Sequence, residues 1–156
     1  MKINSTDIKN LEPIQTIAVT HVGEYSGIGT AFEKLAAWAD ANNLWVNSPK
    51  LAGIYHGNPM DTPVEKLRSD ACIENLTGIQ PGEGMKEYTI SGGKYFVMQV
   101  ELTMPEYTEA WQKAYTAVAE QGYECDMRDH YELYITCCDM EDPNATSIVD
   151  LCIPIK

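Results

Sequence analysis

The sequence repeats itself once, at a spacing of 78 to 80 residues. Three pairs of segments match: residues 17–22 with 95–100, 53–55 with 132–134, and 70–73 with 150–153. A period this long is typical of a duplicated half-domain and not of a solenoid. At 156 residues the chain is too short for two ordinary domains. We therefore predict one domain, residues 1–156, with half-repeats at approximately 12–78 and 86–156.

One charge breaks the match between the two copies. The first copy has Gly53 where the second has Glu132, in the middle of an otherwise apolar strand pattern. A carboxylate in such a strand is costly unless a partner or a function requires it. Glu132 is therefore the first candidate for a functional residue.

The net charge restricts the possible partners. The formal charge is −12, and residues 79–156 carry fourteen acidic and five basic side chains. Binding to nucleic acid or to an anionic membrane is disfavoured, because both depend on Lys and Arg neutralising phosphates. A cationic small molecule or a basic protein partner fits the charge. The alternative, that the charge only keeps a small protein soluble, stays open.

The cysteines and the N-terminal residues indicate a cytoplasmic protein. The five cysteines are odd in number and form no CxxC pair, and the first residues lack the apolar stretch of a secretory signal. No apolar run approaches membrane-spanning length. We expect reduced thiols in the cytosol.

No cofactor and no metal are predicted. Gly27-Ile28-Gly29 resembles the start of a dinucleotide-binding motif, but Phe32 replaces its third glycine. Cys125, His130 and the pair Cys137-Cys138 match no standard zinc spacing. The histidines His21 and His56 are interpreted as structural.

Each half-repeat is predicted to form a strand, a helix and two strands. The strands are expected at 14–22, 51–55, 68–76, 86–90, 94–102, 130–137 and 148–155, with 1–12 as a lead-in or edge strand. Residues 86–90 and 94–102 are expected to form a hairpin around Ser91-Gly92-Gly93. The first helix runs to about Asn43, with Leu35 on its apolar stripe. The second begins at a capping box from Thr103 to Glu106 and ends at Gly122.

Two interpretations of Glu132 follow from these elements. Period-two alternation places it on the same strand face as His130 and Tyr134. With Tyr134, its near-mirror Tyr55 and Trp111 of the second helix, Glu132 could form a receptor for a flat, lipophilic cation. Alternatively, it is an exposed strand residue or an ion-pair partner of Arg128.

At these residues the chain resembles the GyrI-like family, which includes DNA gyrase inhibitors and effector-binding domains of drug-responsive transcription factors. Similar segments occur in family order over nearly the whole chain from about residue 12: residues 21–25, 32–35, 55–59, 62–68, 90–95, 122–124, 131–134 and 153–156. The resemblance implies an α+β fold of duplicated βαββ halves, related by a pseudo-twofold axis and forming a curved antiparallel sheet with two main helices. It implies a ligand groove between the halves. The family's central glutamate maps onto Glu132, and its aromatic groove residues map onto Tyr55, Tyr134 and Trp111.

The resemblance implies three functions. The first is a stand-alone protein that binds a lipophilic or cationic drug or toxin, since no DNA-binding segment precedes residue 12. The second is a hydrolase that opens cyclopropanoid genotoxins, with Glu132 as a general base. The third is an inhibitor that interacts with DNA gyrase through its acidic surface.

Overall fold

The protein has a mixed α+β fold built from antiparallel strands and two main helices. The computed structural model describes residues 1–57, 61–136 and 144–156. In these ranges the elements follow one another as β1 Lys2–Leu11, β2 Ile14–Val22, α1 Gly29–Ala41, β3 Leu51–Tyr55, β4 Arg68–Glu74, β5 Lys86–Ile90, β6 Gly93–Leu102, α2 Tyr107–Glu120, β7 Tyr131–Thr136 and β8 Ser147–Pro154. The order strand, helix, strand, strand occurs twice, which confirms the predicted fold class. Within the described ranges, neither helix has the length and apolar character needed to cross a lipid bilayer.

The elements group into two compact units. We call Met1–Glu12 together with Gly92–Lys156 the terminal unit, and Pro13–Ser91 the middle unit. The terminal unit is discontinuous in sequence, because its strand β1 comes from the beginning of the chain and its other elements follow residue 91.

The middle unit has four antiparallel strands in the order β3-β4-β2-β5. Helix α1 covers one face of these strands because its apolar residues recur at helical spacing. Its buried residues are Ala31, Leu35 and Ala39, and they pack with buried strand residues that include Ile17, Val19, Ala71 and Ile73. The predicted apolar stripe is confirmed. The helix ends at Ala41, two residues earlier than expected, and Asn43 turns into the left-handed region with φ of 54°.

The terminal unit repeats this arrangement with the order β1-β6-β8-β7. Helix α2 buries Ala110, Ala114 and Val118. They pack with strand residues that include Phe96, Met98, Val149, Leu151 and Ile153. This apolar layer supports the face of β7 that carries Glu132, because Glu132 lies opposite Leu151 in the ladder.

Strands β1 and β5, which precede the first and the second repeat as lead-in strands, are exchanged between the two repeats. Strand β1 precedes β2 in sequence, but it pairs with β6 of the second repeat, for example at Ile8 and Phe96. Strand β5 precedes β6 but pairs with β2 of the first repeat, for example at Ile14 and Ile90. As a result, each repeat completes the sheet of the other.

The predicted hairpin of residues 86–90 and 94–102 is therefore wrong. Strand β5 pairs with β2, and both edges of β6 are occupied, by β1 and by β8. A short glycine-containing link favours a hairpin locally. The long pairing of β1 with β6 overrides this preference. Gly93, with φ of 118°, directs the chain away from β5 at the start of β6.

The signals predicted from the sequence for the two ends of α2 are present in the structure. The backbone N–H of Thr103 donates a hydrogen bond of 2.8 Å to Glu106, and this closes the predicted capping box before the helix. After the helix, the N–H of Tyr123 donates to the carbonyl of Val118 at 3.0 Å. Gly122 makes this turn with φ of 80°, a conformation that glycine adopts without a steric penalty. These caps fix where α2, and with it Trp111, lies along the sheet.

Candidate functional site

Glu132 is a buried carboxylate on the helix-covered face of the terminal unit. Only 2% of its surface is exposed. Its ladder partner Leu151 is fully buried beneath α2. The interpretation of Glu132 as an exposed strand residue is therefore wrong.

Two aromatic side chains hold the two oxygens of this carboxylate. The indole Nε1 of Trp111 donates to Oε1 of Glu132 at 2.7 Å, and the hydroxyl of Tyr134 donates to Oε2 at 2.7 Å. Neither donor carries a charge, so these two bonds orient the carboxylate without neutralising it. The structure thus brings together three of the four predicted site residues: Glu132, Tyr134 and Trp111.

A row of rings continues from Trp111 along α2. The rings of Trp111 and Tyr115 stack at 5.7 Å between centroids, and Tyr115 lies 5.8 Å from the ring of His130. We call Trp111, Tyr115, His130 and Tyr134 the aromatic cluster. Their flat faces and polar edges suit an apolar ligand that carries a charge.

The hydrogen bonds of His130 define its tautomer. Its Nε2 lies 3.2 Å from the carbonyl oxygen of Asp126, and its Nδ1 lies 2.7 Å from the hydroxyl of Tyr115. Burial lowers the pKa of His130, although the Asp126 carbonyl and the charge of Asp129 oppose this effect. In the neutral ring Nε2 donates to the carbonyl, which can only accept, and Nδ1 accepts from Tyr115. The Tyr115 ring is held in place by this bond.

The ion pair of Glu132 with Arg128, which the sequence left open, is not formed. Arg128 donates to Asp126 at 3.0 Å. Its guanidinium also donates to the backbone carbonyls of Gly92, Lys94 and Ile155 at 2.6, 2.8 and 3.1 Å, and it lies 5.0 Å from the centre of the Tyr95 ring. Arg128 thus ties the loop before β7 to the ends of β6 and β8, and its role is structural.

Tyr55 belongs to the middle unit. It lies on β3 opposite Ser69, and its ring meets the ring of Tyr25 edge-on at 4.8 Å. Tyr25 is fixed in turn by its hydroxyl, which donates to the carbonyl of Gly57 at 2.5 Å. A role for Tyr55 in ligand binding stays a prediction.

A polar cluster around Asp70 in the middle unit was not predicted from the sequence. Asp70 is fully buried, and its carboxylate accepts hydrogen bonds of 2.6 Å from Thr20 and from Nε2 of His56. Lys86 lies 3.2 Å away. Burial alone would raise the pKa of Asp70, but the bonds from His56 and Thr20 and the charge of Lys86 outweigh it and lower the pKa to about 2. The signal was present in the sequence, since Asp70 is a charge in an apolar strand, as Glu132 is.

No metal centre is formed by the described residues, among which no group of three His, Cys, Asp or Glu side chains could hold an ion. Cys137 and Cys138, considered above for such a site, lie outside the described residues. Cys125 is exposed and its thiol is free.

Comparison with known proteins identifies a family and individual relatives. The sequence profile of the GyrI-like small molecule binding domain matches residues 5–156. DNA gyrase inhibitor 2 of Dickeya dadantii (strain 3937) is 28% identical over 124 residues, which cover 77% of this chain and 76% of that protein.

Two solved structures share the fold. An uncharacterized conserved protein from Listeria innocua superposes with a TM-score of 0.72 at 13% identity, covering 97% of this chain and 92% of that one. The protein SAV2435, solved bound to tetraphenylphosphonium, has a TM-score of 0.66 at 11% identity and covers 97% of this chain and 94% of its own.

Proposed function

Since the chain belongs to the GyrI-like family of small-molecule binding domains, we propose that its ligand is a lipophilic organic cation held against Glu132. The observation that carries this proposal is the burial of the Glu132 carboxylate between two aromatic donors, Trp111 and Tyr134. A carboxylate in contact with an aromatic cluster complements a positive charge that is surrounded by apolar groups.

The aromatic cluster supports the same ligand class. The stacked rings of Trp111 and Tyr115 offer dispersion contacts and a negative ring face to a cation. A cation–π contact contributes about 0.5–1 kcal/mol at an exposed site and about 2 kcal/mol when it is desolvated. SAV2435, which shares this fold, was solved with tetraphenylphosphonium, a cation of this kind.

The test is a calorimetric titration with tetraphenylphosphonium and with triphenylphosphine oxide, which has three of the same phenyl groups and no net charge. We expect the cation to bind at least about tenfold more tightly, because only the cation gains the attraction of the carboxylate. Equal affinities would mean that the site recognises aromatic surface alone. Absence of binding by the cation would contradict the proposed ligand class.

A second function is favoured by the relatives, namely an interaction with DNA gyrase. The Dickeya dadantii relative is a DNA gyrase inhibitor, and the acidic residues 79–156 suit a basic surface on an enzyme that handles DNA. We expect the protein to reduce supercoiling of relaxed plasmid by gyrase, and the effect to weaken as salt rises, because exposed charges are screened. Undiminished supercoiling at a large molar excess of the protein would contradict this function.

A further inference from the structure

A cavity lies in the middle unit. Its volume is about 300 Å³, and it is lined by His56, Arg68, Asp70 and Lys86. The volume is at the lower end of the range for small-molecule sites. Two of the four side chains carry a fixed positive charge, and one carries a negative charge.

The carboxylate of Asp70 is already fully engaged by the protein. Oδ1 accepts from Thr20 at 2.6 Å and lies 3.2 Å from Lys86. Oδ2 lies 2.6 Å from Nε2 of His56 and 3.3 Å from Lys86. A carboxylate has about four acceptor positions, so Asp70 serves to hold the donors around it and is a poor site for an added cation.

The unused hydrogen-bonding capacity of the cavity consists of donors. Arg68 is exposed, and its guanidinium makes no hydrogen bond or ion pair with the part of the chain that the structure describes. The ammonium of Lys86 has three N–H groups and is oriented by Asp70 and by the ring of Tyr88, whose centre is 5.4 Å away. A guanidinium presents two parallel N–H groups that match the oxygens of a carboxylate or a phosphate.

We propose that this cavity binds a small oxyanion, a phosphate or carboxylate group, through Arg68 with the assistance of Lys86. The net charge of −12 opposes an anion at long range. Salt screens that effect beyond about 8–10 Å, so the cations that line the cavity dominate at contact distance. This site would bind an anion, whereas the site proposed at Glu132 would bind a cation. The proposal does not depend on the function proposed for Glu132.

The experiment is an NMR titration of the full chain at constant ionic strength, with inorganic phosphate and, separately, with acetate. We expect saturable shifts of the backbone amides of His56, Arg68 and Lys86. Arg68→Gln should weaken binding by about tenfold or more, because it removes the bidentate charged donor. Since Arg68 is exposed, this variant should fold normally.

Lys66→Gln is the matched control, because Lys66 is an exposed cation two residues from Arg68 that does not line the cavity. The affinity of Lys66→Gln for phosphate and for acetate should equal that of the wild type. Saturation by phosphate only or by acetate only would support the proposal and define the shape of the anion. Linear shifts without saturation, equal affinity in Arg68→Gln, or an equal loss in Lys66→Gln would overturn it.

Discussion

Replacing Glu132 with glutamine is expected to weaken the binding of tetraphenylphosphonium by about 10- to 100-fold. The phosphonium charge lies beneath its phenyl groups, so it can approach the carboxylate only to about 6 Å. At an effective dielectric constant near 20 this attraction is about 3 kcal/mol or less, which corresponds to that change in affinity. Glutamine keeps the shape and removes the charge. The measurement is the dissociation constant from calorimetry.

The same substitution also disturbs the bonds to Trp111 and Tyr134, because the glutamine amide nitrogen cannot accept a hydrogen bond from either donor. The melting temperature of Glu132→Gln should therefore be measured alongside the affinity. Glu120→Gln, an exposed change of the same charge on α2, is the control and should bind as the wild type does. A folded Glu132→Gln protein with wild-type affinity would contradict the role of the carboxylate.

Asp70 is expected to contribute about 2 kcal/mol to stability at neutral pH, and this contribution should disappear in acid. Its pKa falls from an ordinary value of 3.8 to about 2 in the folded protein. The folded state therefore binds fewer protons than the unfolded chain between these values. The stabilisation is complete above about pH 5 and is lost as pH falls through 4 towards 2.

Urea unfolding at a series of pH values from 7 to 2 tests this expectation. The free energy of unfolding of the wild type should fall by about 2 kcal/mol more than that of Asp70→Asn, which cannot titrate at this position. Thr20→Val keeps the carboxylate but removes one of its hydrogen bonds, so part of the pH dependence should remain. Parallel curves for the wild type and Asp70→Asn would contradict the argument.

Much of the fold follows from local patterns in the sequence. The apolar spacing around Leu35, the capping box at Thr103 and the break at Gly122 place both helices correctly, because these signals act within a few residues. The alternation of β7 correctly places Glu132 beside Tyr134. The helical position of Trp111 agrees with its contact to the carboxylate, whereas Tyr55, predicted for the same site, lies on β3 of the middle unit.

Long-range pairing was not predictable in the same way. The link between β5 and β6 favours a hairpin locally, and the residues that select the pairing of β5 with β2 lie about 75 residues earlier in the chain. The Asp70 cluster was missed because its partners, Thr20, His56 and Lys86, come from three separate elements. The hydrolase function and the role of Tyr55 stay predictions.

The crossing of the lead-in strands constrains how the chain can be divided. A polypeptide that contained one repeat alone would present an open β edge and carry a loose strand, which are the two halves of a domain-swapping contact. Two such polypeptides could satisfy each other only by reciprocal donation. Covalent linkage in a single chain makes that donation intramolecular, at high effective concentration. A cut between β4 and β5 would therefore part each donated strand from its partner, whereas residues 13–91 keep β5 together with β2.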